Sequence, residues 1–477
     1  LTPAAPGSLL PAHEVVERAL AACTGGPAIV LVEERDEVEV RFARSTVTTN
    51  GHRRDRRTTV LRFVERAGAD GRAGGIAVGQ ASGVGIGLAD IEMLVDAAGT
   101  AAGGAPAAED ASALVGPEAW RAGFPGGFED PPAAASPALL GPVLRGLPEQ
   151  FRRVAAAGRE LAGFAEHREQ TTYLGSSTGL RLRHEQPNAN LQLVERGADG
   201  SSWVGRAITD WTGVDLAPVG VELERRMAWG ARRVELAPGR YETILPPDAV
   251  ADLAVMLAWA LSGRGAEEGR TAFSAPGGGT RLGEQVVGQP FSFASDPSHP
   301  TMSCAPFVAA TASGEDESVF DNGLPLGPTE WLAGGRLRQL RYHRAGAAAA
   351  GVAPAPWVDN ITLRLPGGTG STDSLVASAE RALLVTCFWY LRELDPATLL
   401  VTGLTRDGVY LVEGGEVVAA VNNFRFNESP LGILDRATAA SASQPALSRE
   451  WGEWFNRTEM PALSVAGFNM STPSDAR

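Results

Sequence analysis

The stretch PPDAVADLAVMLAWALSGRG, Pro246–Gly265, is a helix candidate made almost wholly of apolar residues. Two prolines open it and glycines close it. Pro247 suits a first helical turn, Asp248 favours the positive helix start, and Gly263 is the expected terminator. From Ala249 to Leu261 the only charge is Asp252. That run falls short of the ~20 residues a membrane span needs. A short helix that is apolar on most faces belongs inside a core.

The pattern differs on the two sides of this helix. Upstream, AHEVVERALAAC (Ala12–Cys23) has helical spacing, and EVEVRFARSTVTTNG alternates as a strand. Asn50-Gly51 marks an expected turn before the arginine-rich HRRDRR. LADIEMLVDAAGTAAG, LPEQFRRVAAAGREL and GVELERRMAWGARR read as helices, and GSSTG as a hairpin turn. Residues 103–137, dense in Ala, Gly and Pro, read as a long surface connection. Downstream, RYETILPPD is a strand feeding the opening helix. Many short β-like runs follow, including VYLVE-GG-EVVAAV, whose two glycines suit a tight hairpin. A helix is expected over Pro430–Ala440. The fold class is α+β: an N-terminal α/β domain over 1–235, then a β-rich, barrel-like antiparallel domain over 236–477.

The 477 residues carry a net charge of −14, which argues against broad binding to nucleic acid or an anionic membrane. All 42 basic residues are arginine, so Schiff-base chemistry on a lysine is excluded. Cys23, Cys304 and Cys387 are far apart and odd in number, which points to a reducing cytoplasm. The first residues lack the basic start and long apolar core of a signal peptide.

Six histidines exist, and none lies one helical turn from another, so no HExxH metal helix can be drawn. His13 and His184 each precede a glutamate without a second histidine and are expected to face solvent. GVGIG (Gly83–Gly87) resembles a phosphate loop but lacks its spacing, and reads as a turn into a helix. APGGGT (Ala275–Thr280) reads as a flexible loop. GSSTG (Gly175–Gly179) has GxSxG spacing but reads as a hairpin turn between strands, so a strand-to-helix nucleophile elbow is not supported. Cys304 lies five residues after His299, but a catalytic pair needs proximity in space. Cys387, in an apolar run, is expected in the core. Arg406, Asp407, Asn423 and Arg425 fall at strand ends beside aromatic residues. They could line a peptide-binding edge, with Arg425 pairing a carboxylate, or satisfy turn and sheet-end backbone groups.

Collinear segments now carry a resemblance. EVRFARSTVTTNG, HREQTTYLGSSTGL (with Ser176 where Asn is usual), YETILPPDAVADLAVMLAWAL, LGEQV, FDNGLPLGPTEWLAGGRLRQL, VDNITLRLPGG and LVTGLTRDGVYLVEGGEVVAAVNNFRFNESP resemble successive segments of the TldD/PmbA family. The resemblance implies an N-terminal α/β domain, a C-terminal barrel-like domain and work in pairs. TldD-type partners are zinc metallopeptidases with HExxxH on the first helix of the C-terminal domain and a cysteine near the end. TldE- or PmbA-type partners lack the ligands and complete the peptide cavity. Here the motif positions fall on Val255, Met256 and Ala260, and EWFNRTEMPALSVAGFNM holds no cysteine. The resemblance therefore implies a TldE-like, non-catalytic subunit without a cofactor of its own. Its expected partner is a TldD-like HExxxH-bearing metallopeptidase that carries zinc and cleaves unfolded or small peptide precursors, possible natural-product precursors among them. A stand-alone peptide-binding scaffold and a non-zinc hydrolase are the rival readings.

Overall fold

The computed structural model describes residues 10–67, 73–85, 88–121, 123, 125–198, 200–452 and 457–475. Ala28–Val32 is apolar and buried at every position, whereas the following residues are densely charged. That division governs how the first sheet is covered. Helix α1 (Ala12–Ala22) leads into β1 (Ala28–Ala43), which pairs along its whole length with β2 (Thr46–Ala67). The turn between them is Arg44–Ser45, with φ of 49° and 55°, the left-handed pair that a two-residue hairpin needs. The expected turn at Asn50-Gly51 is therefore corrected: both residues lie inside β2, opposite Val40 and Glu39. HRRDRR is strand too, because Arg53, Arg54, Arg56 and Arg57 stand opposite Glu37, Asp36, Glu34 and Glu33. Opposite charges across a ladder stabilise the pairing that the arginine run alone would not suggest.

Strand β3 (Ala73–Val84) and helix α2 (Leu88–Gly104) follow. Gly79 lets them touch, since a Cβ there would lie 2.0 Å from the Ala102 backbone nitrogen. Helix α3 (Gly141–Ala156), β4 (Glu160–Ser176), β5 (Arg181–Gly197), β6 (Gly200–Ala207) and α4 (Leu216–Trp229) complete this half. The strands form one antiparallel sheet, ordered β3-β2-β1-β4-β5-β6. Val30 and Val32 pack with α1 and α2, while Val38, Val40 and Phe42 pack with α3 and α4. On the opposite face, Ile29 and Leu31 meet Phe307 and Phe320 from the second half of the chain. The 103–137 connection is bonded to both halves: Tyr173 Oη donates to the Asp130 carbonyl at 2.6 Å, and Trp120 Nε1 donates to the Gly323 carbonyl of the second half at 2.9 Å. Of GVGIG, Gly83 and Val84 end β3, and Ile86 and Gly87 lie outside the described residues.

The second half opens with β7 (Arg233–Val234), β8 (Gly239–Leu245), α5 (Pro247–Trp259) and α6 (Gly263–Glu267). Strands β9 (Ser292–Ser295), β10 (Thr329–Ala333) and β11 (Arg336–Leu337) lead to α7 (Arg344–Ala350). Next come β12 (Ile361–Arg364), α8 (Thr372–Ser378), β13 (Arg381–Val385) and β14 (Phe388–Asp395). Strands β15 (Leu400–Thr405), β16 (Val409–Glu413), β17 (Glu416–Val421) and β18 (Asn423–Glu428) precede α9 (Pro430–Asp435). The chain finishes with β19 (Ala437–Ala440), β20 (Gln444–Ala446), β21 (Thr458–Met460) and β22 (Leu463–Ser474). The large sheet runs β14-β15-β18-β22-β8-β13-β16-β17-β7, with β19 also on β22. It curls into a half-barrel whose outermost strands, β14 and β7, do not pair with each other. A smaller sheet runs β11-β10-β9-β12-β21-β20.

Helix α5 fills the hollow of this half. Every residue from Pro247 to Ala258 except Asp248 is buried, against Phe291, Phe293, Phe388, Phe426 and Phe468 among others. The chain leaves the helix at Ala260, and Gly263 starts α6 instead of ending α5, with Ser262 Oγ capping the Gly265 amide at 2.9 Å. The helix expected over Pro430–Ala440 stops at Asp435, where β19 is drawn onto β22. No helix among the described residues is long and apolar enough to cross a membrane.

Candidate functional site

Asp252 is the one charge in the apolar run of α5, and it organises what covers the helix. Its Oδ1 accepts from Ser448 Oγ at 2.8 Å and from the Glu450 amide at 2.9 Å. One turn earlier, Asp248 Oδ1 accepts from the Leu447 amide at 2.8 Å. Trp451 Nε1 donates to the Asp252 carbonyl at 3.1 Å, and its ring meets Trp259 edge-on at 4.7 Å. Residues Leu447–Trp451 thus form a strap pinned along α5. Asp252 Oδ2 finds no hydrogen-bond partner among the described residues. Burial raises the Asp252 carboxyl to about 8 and the Asp248 carboxyl to about 6. The residues at the resemblance's motif positions, Val255, Met256 and Ala260, are all buried in the main core.

The strap's Arg449 joins the two halves of the chain. Its Nη2 donates to Asp407 Oδ2 at 2.7 Å and its Nη1 to Cys387 Sγ at 2.8 Å. The guanidinium lies 5.0 Å from the Trp203 ring of β6 and 5.5 Å from the Trp389 ring of β14. Ser201 Oγ, also on β6, donates to Asp407 Oδ1 at 2.5 Å. Burial opposes the Asp407 charge, but Arg449, Ser201 and Arg406 outweigh it and hold the carboxyl below its ordinary range. Asp407 itself sits in the left-handed region at φ 51°, at the turn between β15 and β16. Cys387 donates to the Arg406 carbonyl, and burial pushes its thiol up to about 12. It is a core residue, as its apolar neighbours indicate.

Beside this node lies a cleft of about 570 Å³ between the first sheet, α4 and the rim of the large sheet. Arg196, Ser201, Arg226 and Tyr410 line it together with Asp407 and Asn423. Of the four sequence-derived binding candidates, the structure brings these last two to one cleft. Arg406 instead stacks over Trp389 at 5.0 Å, and Arg425 lies exposed on β18 with Nη1 3.3 Å from Thr402 Oγ1. Both Asp407 oxygens are occupied, and Asn423 Oδ1 accepts from Thr405 Oγ1 at 3.2 Å. Arg196, by contrast, is exposed and has no partner among the described residues.

The remaining candidates stay apart. Burial raises the Cys304 thiol to about 11, and no hydrogen bond joins it to His299, whose Nε2 lies 3.6 Å from Glu459 Oε2. A protonated, buried thiol without a base is a poor nucleophile. His13 and His184 are half-buried rather than solvent-facing: His13 packs edge-on to Phe128 at 6.5 Å, and His184 bonds Gln186 at 3.1 Å. Glu37, Glu39 and Glu166 converge on the first sheet, but Arg35, Arg41 and Arg168 already neutralise them. The strap was not visible in the sequence as a functional element. Its signal was Asp252, since a lone acid on a buried helix demands donors from elsewhere.

Residues 238–472 match the family model described as the PmbA/TldA metallopeptidase C-terminal domain. The chain is similar to the crystal structure of TldE from Thermococcus kodakarensis, with a TM-score of 0.75 and 14% identity over 96% of this chain and 98% of that one. It is also similar to candidate modulators of DNA gyrase from Thermotoga maritima and Bacteroides thetaiotaomicron. These give TM-scores of 0.70 and 0.72, each at 14% identity over 96% of this chain and 99% and 98% of theirs. No curated protein matches the chain.

Proposed function

We propose, from the premise that this chain belongs to the TldD/PmbA family through its C-terminal domain, that it is the non-catalytic, TldE-like subunit of a heteromeric metallopeptidase. The observation that carries this reading is helix α5. Its motif positions hold Val255, Met256 and Ala260, buried among core residues, and the helix contains no His, Cys or Glu. Zinc in a peptidase needs imidazole, thiolate or carboxylate donors and a general base. The residues present do not fit the ion, and the two aspartates of α5 face the strap. In this reading the zinc sits on a TldD-like partner, and this chain shapes the space in which peptide is held.

The cleft beside Asp407 is the place for that peptide. Strand β7, at one edge of the large sheet, forms part of its wall and offers backbone groups to an extended chain. Arg196 is the side chain there best placed to meet a peptide carboxylate. Three unpaired cysteines suit a reducing, cytoplasmic setting.

The test is co-expression with an HExxxH-bearing homologue. The expected result is a 1:1 complex by native mass measurement, and peptide hydrolysis by the pair that neither protein gives alone. Full activity from the homologue by itself would overturn the reading.

A further inference from the structure

Strand β14 is one of the two outermost strands of the large sheet, and it is interrupted where it meets the strap. Its pairing with β15 breaks between Trp389 and Arg392. In the gap, Tyr390 takes a left-handed backbone at φ 57°, uncommon for a bulky residue. The amides of Tyr390 and Leu391 therefore leave the ladder and converge, as consecutive donors do in an anion-binding nest. They meet one carboxylate: Tyr390 N lies 3.1 Å from Glu450 Oε2, and Leu391 N 3.2 Å from Glu450 Oε1. Arg392 Nη1 stands 3.5 Å from the same Oε1 and its guanidinium covers the Tyr390 ring at 4.3 Å.

The surface around this nest is aromatic. Trp389 is 38% exposed, Tyr390 50%, Leu394 54% and Trp259 36%. Aromatic rings edged by arginine are the composition of protein-contact centres. The strap shows which chemistry fits here: Glu450 fills the nest, and the next residue, Trp451, packs on Trp259. We propose that the Tyr390–Leu391 bulge is a carboxylate-receiving site for an acidic–aromatic segment of a partner protein, held shut in the free chain by the strap's own Glu450 and Trp451. The exchange replaces one carboxylate by another at the Tyr390 and Leu391 amides, while release of the strap breaks the bonds of the Glu450 amide and Trp451 Nε1 to Asp252. The strap's advantage is that it is tethered, and its high effective concentration keeps the site closed until a partner is presented locally. This site lies apart from the cleft and does not depend on the peptidase reading.

The test uses the full chain and a fluorescein-labelled peptide of the strap sequence, Leu-Ser-Arg-Glu-Trp-Gly with an amidated C-terminus, beside the same peptide with Gln in place of Glu. Glu450→Gln keeps the side chain's size but removes its charge and one of its two acceptor oxygens, which weakens the strap's hold on the nest. The expected result is that E450Q binds the Glu peptide about tenfold or more tightly than the wild type does, and binds the Gln peptide about tenfold more weakly than the Glu peptide. Equal binding of the two peptides, or no gain in E450Q, overturns the proposal. Should E450Q not fold, hydrogen exchange on the wild type decides. Saturating Glu peptide displaces the strap and so speeds exchange at the Glu450 amide, which is bonded to Asp252 in the closed chain, if the proposal holds, and unchanged exchange overturns it.

Discussion

Asp252 and Ser448 meet at 2.8 Å in the core, a helix carboxyl and a strap hydroxyl nearly 200 residues apart in sequence. The Asp252 carboxyl is raised to about 8, above its ordinary range near 4, because burial disfavours its charge. A group whose folded value is raised contributes stability that is fully present below its unfolded value. That stability is lost as pH rises through the folded value. Wild-type stability should therefore fall between about pH 4 and pH 8, with Asp248 adding a smaller fall up to about pH 6. Asp252→Asn should flatten this dependence and gain on the order of a few kcal/mol over wild type at pH 8. Urea unfolding at several pH values checks this, and parallel curves for the two proteins would refute it.

Removing the Arg449 guanidinium takes the nearest cation from the buried Asp407 carboxylate and leaves only Arg406, at 3.5 Å, to pair it. Arg449→Met should cost ~3–5 kcal/mol. Asp407→Asn added to that background should recover part of the loss, because the weakly paired charge is gone. A double-mutant cycle by chemical unfolding measures the coupling, and additive effects would contradict the proximity seen here.

The three thiols should differ in reactivity. Cys304 and Cys387 are buried, with thiols pushed up to about 11 and about 12, while Cys23 is only half-buried. Iodoacetamide at pH 8 should modify Cys23 first and leave the other two intact until the protein unfolds. Peptide mass mapping over time would show the order.

Gly79→Val should be among the most damaging single changes in the first sheet. The added side chain would collide with backbone atoms of α2, which cannot rotate away. A loss of about 3 kcal/mol or more follows from overpacking at a backbone contact. Thermal melting measures it, and a change below about 0.5 kcal/mol would mean that α2 can shift.

Local chemistry made much of the fold legible. Pro247, Asp248 and the apolar run told of a buried helix, and Gly414-Gly415 of a tight hairpin, with φ of 59° and 85°. Arg44–Ser45 was not legible, because neither residue is a usual left-handed one and the stronger turn signal, Asn50-Gly51, lies six residues on. The arginine run in β2 declared itself only against the acids of β1. At the site, Asp407 and Asn423 line one cleft, whereas Arg406 lies 3.5 Å from Asp407 outside the cleft lining and Arg425 points elsewhere. The strap escaped because its meaning rests on contacts of long sequence separation, to Asp252, Cys387 and Tyr390.

Arg449 sits between Trp203 of the first sheet and Trp389 of the large one, and Phe307 and Phe320 carry the second half of the chain into the first sheet's apolar face. Neither half can shed these groups and keep its own interior intact. The molecule should therefore melt in a single cooperative transition, and either half expressed alone should behave as an incomplete protein.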